Sequence, residues 1–178
     1  TLFFAASDGF ATGFELWKSN GTAAGTVLVK DIDPRRTGFL VSFPRSSSPA
    51  NLTNVNGTLF FTATDANGTE LWKSDGTAAG TVLVKDILGG AGSSSPTSLF
   101  NANGVLYFTA DDTGGATPNL ELWKSDGTGA NTVRVADLNS NGSSVPFEFT
   151  LIGNALYFTA NGTDSGRELW RLDLPGGA

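Results

Sequence analysis

The sequence predicts an all-β chain built of four-stranded antiparallel repeat units arranged as propeller blades, with a β-solenoid-like tandem stack as the alternative. Three observations carry this expectation. The stretch ELWKSNGTAAGTVLVKDI beginning at Glu15 returns at Glu70 as ELWKSDGTAAGTVLVKDI, then more loosely at Glu121 as ELWKSDGTGANTVRVADL, and in clipped form at Glu168 as ELWRLDLPGGA. The four tryptophans, Trp17, Trp72, Trp123 and Trp170, stand 55, 51 and 47 residues apart, and a period of about 50 residues marks propeller blades or solenoid coils. Charged residues make up only 16% of the chain while glycine alone supplies 23 residues. That balance suits short strands and turns better than helices. The 178 residues then read as a single repeat domain, or a fragment of one, with units at approximately 1–48, 49–95, 96–145 and 146–178.

Each strand of a unit has its own signature. The first is written NLTNVNG (51–57), SLFNANG (98–104) and FTLIGN (149–154), and unit one lacks it. The second is TLFFAA at 1, TLFFTA at 58, VLYFTA at 105 and ALYFTA at 155. Leu59, Phe60 and Phe61 are apolar in succession, so both faces of this strand should be covered, as between neighbouring sheets. The third strand is the ELW stretch itself. By alternation Glu70, Trp72 and Ser74 share one face, and Leu71 and Lys73 the other. The turn SDGT follows, where Asp75 can accept backbone N–H groups and Gly76 tolerates positive φ; Asn20 replaces the Asp in the first copy, as a turn-capping role permits. In the fourth strand Val27 and Val29, Val82 and Val84, and Val133 and Val135 predict one packed face, and the variable residues between them a wet one. Charged residues there suit an outermost strand.

The ELWKSDGTAAGT motif resembles the ELWxxDGT repeat family of secreted and surface-associated bacterial proteins, which are similar to β-propellers in their predicted build. The resemblance covers nearly the whole chain. Unit four departs from it, with Arg171, Leu172, Asp173 and Leu174 in place of Lys-Ser-Asp-Gly. The turn also looks loosely like the Asp-box hairpins of sialidase-type propellers, without their spacing. What the resemblance implies is an extracellular repeat scaffold, secreted or on the cell surface, with no defined chemistry.

The residues that invite chemistry read as structural. Glu15, Glu70, Glu121 and Glu168 sit beside tryptophan, and paired carboxylates can cleave glycosides. A carboxylate present in every unit points instead to a task every unit needs, such as a hydrogen bond between blades. The tryptophans could stack on sugars or bases, but are expected to wedge between adjacent units. The loops DANGTE (65–70), DDTGG (111–115) and NGTDSG (161–166) offer hard oxygen ligands, which makes Asp65, Asn67, Asp111 and Asp112 weak calcium candidates. A full calcium loop needs more carboxylates, so solvated turns are preferred. No P-loop, GxGxxG, HExxH or CxxC pattern occurs.

Composition narrows the function classes further. A net charge of −6 with scattered lysines and arginines argues against nucleic acid. No run of about eighteen apolar residues exists, so no membrane insertion is expected. Absence of Cys and His removes disulfides, thiolate metal sites, a Cys nucleophile and the commonest general base. Six Asn-x-Ser/Thr sequons begin at Asn20, Asn51, Asn56, Asn67, Asn141 and Asn161; chance accounts for them in so Asn-, Gly- and Thr-rich a chain. Beginning inside a repeat, the chain is expected to be a mature or truncated piece. The leading expectation is a non-enzymatic extracellular scaffold for adhesion, assembly or ligand binding, without a required cofactor. The alternatives are a carbohydrate-active enzyme, or part of one, using loop carboxylates, and a structural subunit of an extracellular fibre. Tyr107 and Tyr157 fall in second strands, which weakens a Tyr-nucleophile scheme. Expected partners are neighbouring copies of the chain or further repeats of a longer one, and surface glycans or proteins.

Two irregular regions complete the reading. Residues 33–48 are longer than their counterpart at 88–95 and gather Phe39, Leu40, Val41 and Phe43 beside Arg35, Arg36 and Arg45. Aromatics edged by Arg suit an interface, with Phe39, Leu40, Phe43, Arg35 and Arg36 as candidates; a flap over its own unit is the equal alternative. Counting strands gives three, four, four and three, which do not complement into a closed ring.

Overall fold

Alternating apolar residues fold each repeat unit into one small antiparallel sheet. The computed structural model describes residues 1–9, 11–38 and 42–175. Unit one forms β1 (Leu2–Ser7), β2 (Phe14–Ser19) and β3 (Val27–Lys30), followed by a two-stranded hairpin of β4 (Arg36–Thr37) and β5 (Phe43–Pro44). Unit two forms β6 (Ala50–Val55), β7 (Thr58–Asp65), β8 (Gly68–Ser74) and β9 (Val82–Lys85). Unit three forms β10 (Thr97–Ala102), β11 (Val105–Asp111), β12 (Leu120–Ser125) and β13 (Val133–Ala136), and unit four β14 (Phe147–Ile152), β15 (Ala155–Gly162) and β16 (Gly166–Asp173). Within each sheet the strands lie side by side in chain order, all antiparallel. No helix forms among the described residues, and none is therefore long and apolar enough to cross a membrane.

The sheets pack face against face in sequence order. Leu16, Val29 and Ile32 of unit one meet Leu59, Phe61, Ala63 and Trp72 of unit two. The other face of unit two, with Val55, Phe60, Leu71 and Val84, meets Leu106, Phe108, Ala110 and Trp123. Unit three then offers Ala102, Tyr107 and Leu122 to Leu156, Phe158, Ala160 and Leu174. Second strands are therefore covered on both faces in the middle of the row, with Leu59, Phe60 and Phe61 at 8%, 2% and 0% exposure. Among the described residues these clusters join consecutive sheets only, and no cluster closes unit four onto unit one.

The fourth strand departs from the expected packed and wet faces. Val29 and Val84 are buried, but Val27 and Val82 are 38% and 36% exposed. The cause is a β-bulge: Trp72 pairs with Leu83 while Leu71 pairs with Lys85, leaving Val84 as the extra residue. The bulge breaks the alternation, so Val84 and Lys85 both reach toward unit three, whereas Leu83 packs toward unit one. The same shift occurs between Leu16 and Trp17 and between Leu122 and Trp123. A second recurrent bulge opens each first strand, with Asn51, Ser98 and Glu148 at φ of 55°, 54° and 60°.

Candidate functional site

The most elaborate chemistry of the chain lies in the joint between successive sheets, built three times from the same parts. Each connector carries the sequence Ser-Ser-x-Pro: Ser46 to Pro49, Ser93 to Pro96, and Ser143 to Pro146. Ser93 Oγ accepts the N–H of Thr69 at 2.9 Å, as Ser46 Oγ does from Phe14 and Ser143 Oγ from Leu120. The N–H of Ser95 donates back to the Thr69 carbonyl at 3.0 Å, from a φ of 45°. The connector runs so close to β8 that a Cβ on Gly68 would stand 2.2 Å from the Gly92 carbonyl oxygen, and Gly68 itself sits at φ +91°. Only glycine fits there.

The recurrent glutamate closes this joint. Glu15, Glu70 and Glu121 are each 0% exposed. Glu70 accepts from the Ser94 N–H at 2.7 Å, the Ser94 hydroxyl, and the Ile87 N–H at 3.3 Å. Glu15 accepts the same set from Ser47 and Ile32, and Glu121 from Ser144 and Leu138. The carbonyl of Ser94 in turn accepts the N–H of Asp111 in the next sheet at 2.8 Å, with Thr64 and Asn161 doing likewise for Ser47 and Ser144. The glutamate thus binds the end of its own fourth strand and the connector, and the connector carries the link to the next sheet. Burial pushes all three carboxyls above the ordinary glutamate value, against the lowering effect of the serine hydroxyl and the backbone donors. Such carboxyls are saturated and sealed. Glu168 is exposed.

Tryptophan and lysine fill the rest of the joint. Trp72 and Trp123 are 5% and 7% exposed and each faces the preceding sheet. Lys30 Nζ donates to the Thr81 carbonyl at 2.7 Å and lies 6.0 Å from the Trp72 ring centre; Lys85 repeats this with Thr132 and Trp123 at 2.8 and 5.8 Å. Lys18 and Lys73 reach the Gly76 and Gly127 carbonyls of the following DGT turns, both at 2.8 Å. In those turns Asp75 Oδ1 accepts the Thr77 N–H and hydroxyl, and Asn20 and Asp126 do the same for Thr22 and Thr128. Gly76 stands at φ +88°, where an added Cβ would meet Phe3 Cζ at 3.2 Å. Hydrogen bonds from Thr77 hold Asp75 below the ordinary aspartate value, and those from Thr128 and Asn131 do so for Asp126.

The loop candidates for calcium are occupied by their own loops. Asp65 accepts from the Asn67 N–H and side-chain amide. Asp111, 6% exposed, accepts the N–H groups of Thr113 and Asn119 and the Thr113 hydroxyl; these outweigh the raising effect of its burial and leave it below the ordinary value. Asp112 pairs with Arg134 at 3.0 Å. Among the described residues no three His, Cys, Asp or Glu side chains gather where they could share a metal ion.

In the insertion, Arg35 forks onto the buried carboxylate of Asp33 through Nε and Nη2, at 2.5 and 2.7 Å, which holds Asp33 below its ordinary value. Arg36 donates to the Ala11 carbonyl and to Ser42, tying the hairpin to its own unit, and Phe43 is 49% exposed. Phe39, Leu40 and Val41 lie outside the described residues. The Ser-Ser-x-Pro connectors, which the reading of motifs passes over, were visible as SSSP, SSSP and SSVP after each buried glutamate. No protein-family model matches this chain, and no curated protein matches it.

Proposed function

We propose that the chain is a non-enzymatic repeat scaffold, secreted or displayed on a cell surface, whose sheets are propeller-type blades serving adhesion or assembly. The observation that carries this reading is the joint repeated three times: its glutamates are consumed in holding connectors and are closed to substrate. The blade reading is supported by how the sheets are spaced. Short groups link the first strands, with Asn101 Nδ2 on the Asn54 carbonyl at 3.1 Å and Thr53 Oγ1 on that of Leu99 at 3.4 Å. At the fourth strands the full length of Lys30 and Lys85 is needed to cross. Sheets closer at one edge than the other fan around an axis, as blades do, whereas a straight stack keeps an even spacing.

The carbohydrate-active alternative needs free carboxylates from different loops around one pocket, and Asp65, Asp111 and Asp112 are each engaged locally. A panel of glycans and surface proteins assayed in parallel for binding and for hydrolysis tests the reading. Binding without turnover is expected of the scaffold. Turnover abolished by replacing a loop carboxylate would overturn it.

A further inference from the structure

We infer that the two outer sheet faces bind each other between copies, so that unit four of one chain docks on unit one of a second copy in the geometry of the internal joints. The inference rests on the scaffold reading and names its partner. Every internal joint sets a forward face against a backward face. The backward face carries Leu, Phe, Ala and Trp at equivalent places: Leu59, Phe61, Ala63 and Trp72 in unit two, and Leu106, Phe108, Ala110 and Trp123 in unit three. Unit one has the full set in Leu2, Phe4, Ala6 and Trp17, with Phe4 paired to Trp17 across β1 and β2 as Phe61 is to Trp72 across β7 and β8. No sheet covers it among the described residues, and Leu2 is 65% exposed where Leu59 is 8%.

The forward face repeats as Val55, Phe60 and Leu71, then Ala102, Tyr107 and Leu122. Unit four presents Ile152, Tyr157 and Leu169 at these places, with Ile152 62% and Leu169 72% exposed. The polar register matches as well. Lys18 and Lys73 each grip the glycine carbonyl of the following DGT turn; Arg171 occupies their place in unit four, and the carbonyl of Gly21 in the Asn20-Gly21-Thr22 turn accepts no hydrogen bond among the described residues. In the docked pair Arg171 therefore leaves its exposed partner Asp173 for Gly21 of the second copy. Such a head-to-tail contact is heterologous, and it makes a ring if the rotation closes and a fibre if it does not.

Light scattering and sedimentation of the 178-residue chain over a range of concentrations test this, using Leu2→Asp and Leu169→Asp, two replacements at exposed sites that leave the fold intact. The wild type is expected to rise from its 18.4 kDa monomer toward multiples of that mass. Each variant alone should stay monomeric, and an equimolar mixture of the two should give a dimer and nothing larger, because one good face of each kind remains. Arg171→Lys should assemble as the wild type does, and Arg171→Glu should assemble at least several-fold more weakly. Self-association of either Asp variant alone would mean like faces meet, and overturns the inference. So does a wild type that stays monomeric throughout, an outcome that leaves the scaffold reading to the glycan and turnover assays.

Discussion

Leu122 and Leu169 occupy the same place in the same ELW motif, yet the first is 1% exposed and the second 72%. Glu121 and Glu168 differ in the same way. One is sealed against Ser144 and Leu138; the other is exposed. Lys73 reaches the DGT turn ahead of it, whereas the Lys124 side chain makes no hydrogen bond or ion pair among the described residues; Leu174 replaces the turn glycine and gives its carbonyl to Asn154. The strands are alike in both regions, so the motif alone does not make a core. The face of a repeat unit that carries this leucine owes its burial to the neighbour that follows and to the connector leading there.

The largest expected effect separates these regions by truncation. Trp72→Ala should cost about 3–5 kcal/mol and Leu122→Ala about 2–5 kcal/mol of stability, as emptied core sites do. Leu169→Ala should stay within about 0.5 kcal/mol in dilute solution. Urea melts of the three variants measure this, and a Leu169 variant as damaged as Leu122 would erase the distinction.

Next in size is the glutamate. Glu121→Gln turns an amide toward the Ser144 donors and should cost about 1–3 kcal/mol, while Glu168→Gln should cost nothing measurable. The sealed glutamates, with carboxyls raised above 4.5 by burial, favour the fold when protonated. Their contribution is full below the ordinary glutamate value and fades as pH rises through the raised one. Asp33, Asp111 and Asp126 lie below 3.8 and act oppositely, losing their contribution as pH falls through their lowered values. Melting temperature should therefore peak at mildly acidic pH and decline toward neutrality, and Glu121→Gln should flatten that decline.

The smallest effect belongs to the turns. Asp75→Asn should leave the melting temperature nearly unchanged, because Asn20 already holds Thr22 as Asp75 holds Thr77. A larger loss in thermal melts would show that the charge matters in the inner turns and not in the first.

These contrasts also explain what was legible in the sequence. The sheets, their strand order and the turn chemistry followed from period-two alternation and from Asn20 standing in for Asp75, both local signals. The faces of the fourth strand did not follow, because the bulge at Val84 shifts Lys85 to the side of Val84 and no residue type announces it. The partner of Glu70 lies 24 residues downstream. Reading the glutamate beside its tryptophan hid a pairing that the recurrent Ser-Ser-x-Pro would have revealed. Of the insertion, the clasp of Arg35 on Asp33 was missed because Arg35 was read with the neighbouring aromatics as an interface residue and Asp33 was not singled out.

The connector also sets a timetable. Glu70 stays unsaturated until Ser94 is available, and Glu15 must wait for Ser47, 32 residues on. At a synthesis rate of about 5–20 residues per second, each sheet emerging from the ribosome would wait roughly one to several seconds for the residues that finish it. Maturation of the nascent chain thus trails elongation by about half a unit, in strict order from the amino terminus, and a pause just before a Ser-Ser-x-Pro codon run would hold a half-finished sheet open to chaperones.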